Sequence, residues 1–263
     1  MIMKFFGEYG PVVQALLAGL FTFLFTALGS SIVLFFKKVN KTVLDSFMAI
    51  SAGVMLASSF FSLIEPAISI SDSLNMKSYI VVSLGFFCGA ILILIFDFCY
   101  NFFTKSTDNS KKRSTLVLLS ITVHNIPEGL ILGVSFGSLL YGIPGTDLTS
   151  SLLLTLGIAL QNFPEGSAIS LPLRREGNSR GKSFVLGSLS AIVEPISAVI
   201  GALIVIRIKM LLPFLLSFAA GAMIYVVISE LIPEYSKNKR KALMNICTFL
   251  GFIIMMILDV AFG

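Results

Sequence analysis

The chain has 263 residues, 56% of them hydrophobic and 13% charged, with a formal net charge of +5. Mean hydropathy is +0.95. Soluble domains carry about 25% charged residues, so this balance excludes an ordinary soluble domain and points to a polytopic membrane protein whose length counts spans.

The opening segment, MIMKFFGEYG, has the look of a signal-peptide head. The uncharged run behind it covers residues 11–36, longer than a usual h-region, and is read as helix 1. Further uncharged runs follow at 46–64, 78–96 and 210–229, each near the roughly 20 residues that cross a bilayer. The run 242–258 is slightly shorter but continues into more apolar residues. Three more runs, 114–137, 149–172 and 183–206, each hold one carboxylate. The expected fold is therefore an all-α membrane protein, a bundle of eight transmembrane helices forming one domain over 1–263. The runs are continuous rather than alternating, which argues against a β-barrel.

The basic residues support this count. With the N-terminus outside, Lys37, Lys38 and Lys41 fall inside, as do Lys105, Lys111, Lys112 and Arg113. The clusters Arg174, Arg175, Arg180, Lys182 and Lys237, Lys239, Arg240, Lys241 fall there too. Fifteen of the nineteen Lys and Arg thus share one face, as the positive-inside rule requires, with both termini outside the cytoplasm. The charge sits in short loops between spans, so no nucleic-acid partner is expected. The partner implied by composition is the lipid bilayer, and a plasma or inner membrane is the expected location. Cys88, Cys99 and Cys247 lie in or beside spans without a C-x-x-C, so neither a disulfide framework nor a zinc finger is expected.

Helix 4 contains HNIPEG at 124–129, and helix 5 contains QNFPEG at 161–166, an offset of 37 residues. The offset does not recur, so the two form a pair rather than a repeat array. In this topology the copies lie on antiparallel, Pro-interrupted neighbours at the centre of the bundle, a pattern that points to a transporter binding site. Within each copy, helical spacing gathers the polar residues on one face: His124, Asn125 and Glu128 on the first, Gln161, Asn162 and Glu165 on the second. Pro127 and Pro164 withhold a backbone donor and free the carbonyls of Val123 and Leu160. Helix 6 adds Glu194, followed at once by Pro195.

No Lys or Arg lies at matching depth to neutralise these three carboxylates. A buried carboxylate needs a proton, a polar partner or a metal. Hydrogen bonding among protonated acids is one answer; a bound divalent cation is the other. One imidazole with carboxylate and amide oxygens suits zinc, iron(II), manganese or cadmium, held weakly enough for a carrier to release. The cation is cargo here, and no resident cofactor is expected. Glu65, Ser58 and Ser59 on helix 2 are candidates for the entry side, and Glu230 and Glu234 for the exit side. Gly129, Gly133 and Gly137 on helix 4, with Gly85 and Gly89 on helix 3, are small-residue ridges that allow close packing.

These motifs resemble the ZIP family of divalent metal-ion transporters, and the Gln-Asn form on helix 5 is similar to its GufA-like prokaryotic branch. The resemblance runs over nearly the whole chain, including SAGVMLASSFFSLIEPAI on helix 2 and GAMIYVVISELIPE on helix 7. It implies a binuclear centre: His124, Glu128, Gln161 and Glu165 at one position, Asn125, Asn162 and Glu194 at the other, with Glu128 and Glu165 bridging. It also implies alternating access, movement of metal toward the cytoplasm, and a homodimer. Many members carry a histidine or an aspartate where Gln161 and Asn162 stand. Two rival readings remain: a proton or organic-cation carrier using the same acids, and an intramembrane metallohydrolase. The second is poorly supplied, with one histidine and no H-E-x-x-H; a non-enzyme is expected.

Overall fold

The computed structural model describes residues 8–35, 40–103, 125–142, 147–175, 177–207 and 209–262. Among these residues every regular element is helical. In chain order they are α1 (Pro11–Phe35), α2 (Lys41–Ser73), α3 (Ser78–Phe103), α4 (125–138), α5 (Leu148–Arg175), α6 (Arg180–Arg207), α7 (Leu212–Tyr235) and α8 (Lys241–Phe262). Six of them, α1, α2, α3, α6, α7 and α8, are long and apolar enough to cross a membrane. The first half of the expected helix 4, with His124, lies outside the described residues. The helix 5 region forms the 28-residue α5.

Several helices outrun the uncharged stretches read from the sequence. α2 begins at Lys41, capped by the Asn40 side chain, which accepts from the Thr42 amide at 2.9 Å. α6 begins at Arg180 behind a Ser179 cap. Charged residues are tolerated where a helix leaves the hydrocarbon, so helix ends and hydropathy ends need not coincide.

Three spans are not uniform α-helix. α2 passes through a π-helical segment at Ser59–Ile64, and α7 through another at Val227–Leu231. Each lies just before a proline, Pro66 and Pro233, which cannot donate to the carbonyl four residues back. α6 tightens to a 3-10 turn at Ser190–Ile192 and resumes at Val193. Glu194 thus sits in the first turn after a break rather than within an unbroken helix. α5, by contrast, is assigned helical straight through Pro164.

The packing follows membrane logic. The buried face of α1 is Gln14, Ala15, Ala18, Gly19, Thr22, Thr26, Gly29, Ser30 and Val33, while Leu20, Leu24 and Leu28 point outward. Small residues face protein because hydrocarbon chains satisfy large apolar ones equally well. The glycines mark where backbones touch. A Cβ on Gly29 or Gly166 would overlap the facing backbone of the α1–α5 pair; on Gly19, Gly129, Gly133 or Gly201 it would overlap contacts that tie α6 to α1 and α4. Elsewhere, Gly85, Gly89 and Gly221 press α3 against α7, and Gly53 and Gly251 press α2 against α8. Two sets of helices emerge: α1, α4, α5 and α6, clasped backbone to backbone, and α2, α3, α7 and α8, built of the clasped pairs α2–α8 and α3–α7 with α2 packing on α7. Between the sets α2 also packs along α5, but the glycine contact there, Gly157 of α5, meets only the Met255 side chain of α8.

Gly89→Ala is expected to lower the unfolding temperature of the purified protein, because its Cβ would overlap the Phe218 carbonyl, a misfit of about 1–3 kcal/mol. Gly181→Ala meets nothing within 4 Å and is expected to hold or raise that temperature. Equal thermal shifts in the two variants would contradict this packing.

Candidate metal centre

α5 lies between α4, α6, α1 and α2, and its two adjacent amides reach in different directions. Gln161 Nε2 donates to Glu128 Oε1 of α4 at 2.6 Å. Asn162 Nδ2 donates to both oxygens of Glu194 on α6, at 2.9 and 2.8 Å, and lies 3.4 Å from the Thr22 carbonyl of α1. On α2, the Ser51 hydroxyl lies 3.4 Å from the Gln161 carbonyl. The Thr22 hydroxyl donates to the Gly19 carbonyl of its own helix at 3.0 Å. The sequence pattern placed these residues on shared helix faces; the structure joins Glu128 to Gln161 and Asn162 to Glu194 by hydrogen bonds, with Asn125 of α4 and Glu165 of α5 also in the interior. All six are buried, Glu128, Gln161, Asn162 and Glu194 completely.

The three carboxylates interact electrostatically: Glu165 and Glu194 both act on Glu128, and Glu165 acts on Glu194. Among the described residues no lysine or arginine forms an ion pair with them; the ion pair seen is Lys237 with Glu234, at the exposed end of α7. The amides supply the donors. Gln161 and Asn162 each turn the side-chain nitrogen to a carboxylate, which leaves the amide oxygen facing elsewhere. Asn125 Oδ1, Gln161 Oε1, Asn162 Oδ1 and Glu128 Oε2 are buried and accept no hydrogen bond. These are four acceptor atoms from two helices, α4 and α5. Carboxylate and amide oxygens without donors are the atoms that hard and borderline divalent cations coordinate. Among the described residues, no three His, Cys, Asp or Glu side chains form a metal-binding group by themselves. His124 lies outside the described residues.

Two contributors were not anticipated. Thr22 of α1 offers its carbonyl to Asn162 and Ser51 of α2 its hydroxyl to the Gln161 carbonyl, and only the small-polar stripe Thr22, Thr26, Ser30 hinted at the former. The flanking candidates separate. Glu65 lines a cavity of about 410 Å³ between the end of α2, the end of α8 and the α4–α5 junction. The cavity is rich in serine, and there Asp259 Oδ1 accepts from Ser62 at 2.7 Å. Ser58 and Ser59 are fully buried, with hydroxyls that find no partner. Glu230 is close enough to act electrostatically on Glu165, whereas Glu234 is exposed and paired with Lys237. All three cysteines are free thiols.

Residues 104–259 match the family model described as the ZIP zinc transporter. The chain is 33% identical to zinc transporter ZIP11 of Xenopus tropicalis, an alignment covering 97% of this chain and 99% of that protein. It is 34% identical to zinc transporter ZIPB of Bordetella bronchiseptica over 96% of this chain and 82% of the other. It is 36% identical to zinc transporter GufA of Myxococcus xanthus over 56% of each. These relatives are named transporters rather than enzymes. With a family model that covers more than half its length, and relatives aligned nearly end to end, the chain belongs to the ZIP family of zinc transporters.

Proposed function

We propose that this chain carries zinc, and chemically similar divalent cations, across a membrane through the carboxylate–amide centre on α4, α5 and α6. The observation that carries the reading is the set of four buried, donor-less oxygens of Asn125, Glu128, Gln161 and Asn162 beside three carboxylates. An organic cation would ask for an apolar or aromatic wall beside the acids; what supports a metal instead is the set of unpartnered oxygen atoms. Iron(II), manganese and cadmium share the ligand preference, so they are expected competitors.

In this reading Glu128, Gln161 and Glu165, with His124, take one cation. Asn125, Asn162 and Glu194 take a second, and Glu128 and Glu165 bridge the two. The carboxylates supply charge and the amides neutral oxygens. Such a mixture replaces the hydration shell without the thiolates that make structural zinc sites slow to release. Residues 1–263 form one transport unit of eight crossings, α4 and α5 being the polar pair at its centre, with both termini outside the cytoplasm. Metal enters by the cavity at Glu65 and Asp259 and leaves past Glu230 toward the cytoplasm. A homodimer is the family expectation.

In proteoliposomes, a Glu128→Ala, Glu165→Ala double variant that still folds is expected to lose zinc uptake that the native protein shows. Native-level uptake by the variant would sink the central site. Failure of the native protein to move zinc, iron or manganese, with pH-driven movement of another cation, would favour the carrier of protons or organic cations. A second expectation concerns the amide clasp. Asn162→Leu removes the donors of Glu194 and is expected to lower stability by about 1.5–3 kcal/mol. The loss should largely disappear when Glu194→Leu is combined with it in a double-mutant cycle; additive losses would show that the two side chains do not interact.

A further inference from the structure

We propose that four basic residues at the paired starts of α2 and α8, Lys41, Lys239, Arg240 and Lys241, form a binding surface for the phosphate headgroup of an anionic phospholipid. This rests on α2 and α8 as membrane crossings, whatever the cargo.

α2 and α8 run side by side in the same direction, and contacts at three levels fix their register. Near one end, Ser62 of α2 donates to Asp259 of α8 at 2.7 Å. In the middle, a Cβ on Gly53 would strike the Thr248 carbonyl, and one on Gly251 the Ile50 carbonyl. Near the other end, Asn238, just ahead of α8, donates its Nδ2 to Asp45 Oδ2 at 2.7 Å, and both residues are buried. The Arg240 amide donates to Asn238 Oδ1 at 2.9 Å, so the loop is held by both ends of one side-chain amide. Lys41 lies one turn before Asp45, and Lys239, Arg240 and Lys241 follow Asn238 directly. The four basic side chains are therefore gathered in one place.

All four are exposed, and among the described residues no acid pairs with any of them. The first turns of α2 and α8 hold no carboxylate. Asp45 is turned inward to Asn238, and Glu234 is paired with Lys237. Arginines of the α5–α6 region are used differently: Arg174 donates to the Asn178 carbonyl, and Arg180 to the Leu34 carbonyl at the end of α1. Like charges held together repel one another, a cost that a bound anion removes. The neighbouring surface says which anion. Just beyond the patch, Val43 of α2 and Leu243 and Ile246 of α8 are exposed aliphatic residues. A row of cations with exposed aliphatics behind it fits an amphiphile, its phosphate against the charges and its acyl chain along the apolar residues. A free phosphate would use only the first half of this surface.

The test is lipid retention, which is read without any transport assay. The full chain is reconstituted in vesicles of equimolar phosphatidylcholine and phosphatidylglycerol and extracted into mild detergent, and the lipids still bound are counted by mass spectrometry. Each basic residue near an anionic surface favours it about fivefold, so the native protein is expected to retain phosphatidylglycerol at least about tenfold over phosphatidylcholine. A Lys239→Gln, Arg240→Gln, Lys241→Gln variant is expected to bring that ratio within about twofold of parity. Lys182→Gln, which removes an exposed cation at the start of α6, is expected to leave it at the native value. The native protein alone also decides the matter: extraction at about 1 M salt, where charges are screened beyond about 3 Å, is expected to lower the ratio at least about threefold. A native ratio near parity, a ratio indifferent to salt, or a triple variant that keeps the native ratio would overturn the proposal. Equal losses in the triple variant and in Lys182→Gln would overturn it as well, because any positive charge at the membrane would then serve. Displacement of phosphatidylglycerol by millimolar inorganic phosphate at constant ionic strength would assign the patch to a free anion and exclude the lipid.

Discussion

Three carboxylates lie in the interior of this bundle, and among the described residues no basic side chain pairs with them. Stripping an ionised carboxylate of water costs several kcal/mol even after relaxation, while a hydrogen bond to a charged group contributes about 1.5–3 kcal/mol. The amides of Gln161 and Asn162 therefore offset part of the cost and leave the rest to a proton or a cation. Apolar packing alone would be more stable with leucine at these places. The arrangement is explained by what it binds, and the surrounding helices are shaped to keep it in place.

That holding is done by backbone contact rather than by large side chains. α5 presents Gln161 to α4 and Asn162 to α6, which works only if each neighbour stays at a fixed distance. Glycine contacts supply the fixity: Gly29 and Gly166 for α1 with α5, Gly129 and Gly133 for α4 with α6. The large apolar residues, such as Leu24 of α1, Phe87 of α3 and Phe249 of α8, are exposed on the outside. Small and polar residues line the close helix contacts, beside a buried apolar cluster with Leu63, Ile70, Ile131 and Phe136, and close approach of backbones sets the helix spacing.

Much of this could be read from the sequence, for a physical reason. A carboxylate in an apolar run is costly, so Glu128, Glu165 and Glu194 announced themselves, and the shared N-x-P-E-G paired two of them. Six of the expected spans were equally plain, because hydropathy reports lipid exposure directly. Serines and threonines were not legible in this way. A hydroxyl in an apolar helix bonds most often to its own backbone, so Ser51 and Thr22 look like many others until the neighbouring helix is in place. Helix ends were blurred because charged residues such as Lys41 and Arg180 continue a helix beyond the hydrocarbon. The breaks in α2, α6 and α7 were marked only by Pro66, Pro195 and Pro233, which could equally have signalled simple bends.

The two π-helical segments carry a consequence for how this chain can change over time. A π turn holds one more residue than the α turn it replaces, so it behaves as a stored insertion. Deleting a single residue within Ser59–Ile64 would let the turn relax to α geometry while the residues beyond it kept their facing. Glu65 and Ser69 would still face the cavity they line, and the half of α2 clasped to α8 through Gly53 would stay where it is. The same deletion in α1, a continuous α-helix, would swing one half by about 100° and turn part of its small-residue face to the lipid. Loss of one residue is therefore least disruptive to the fold at the π turns.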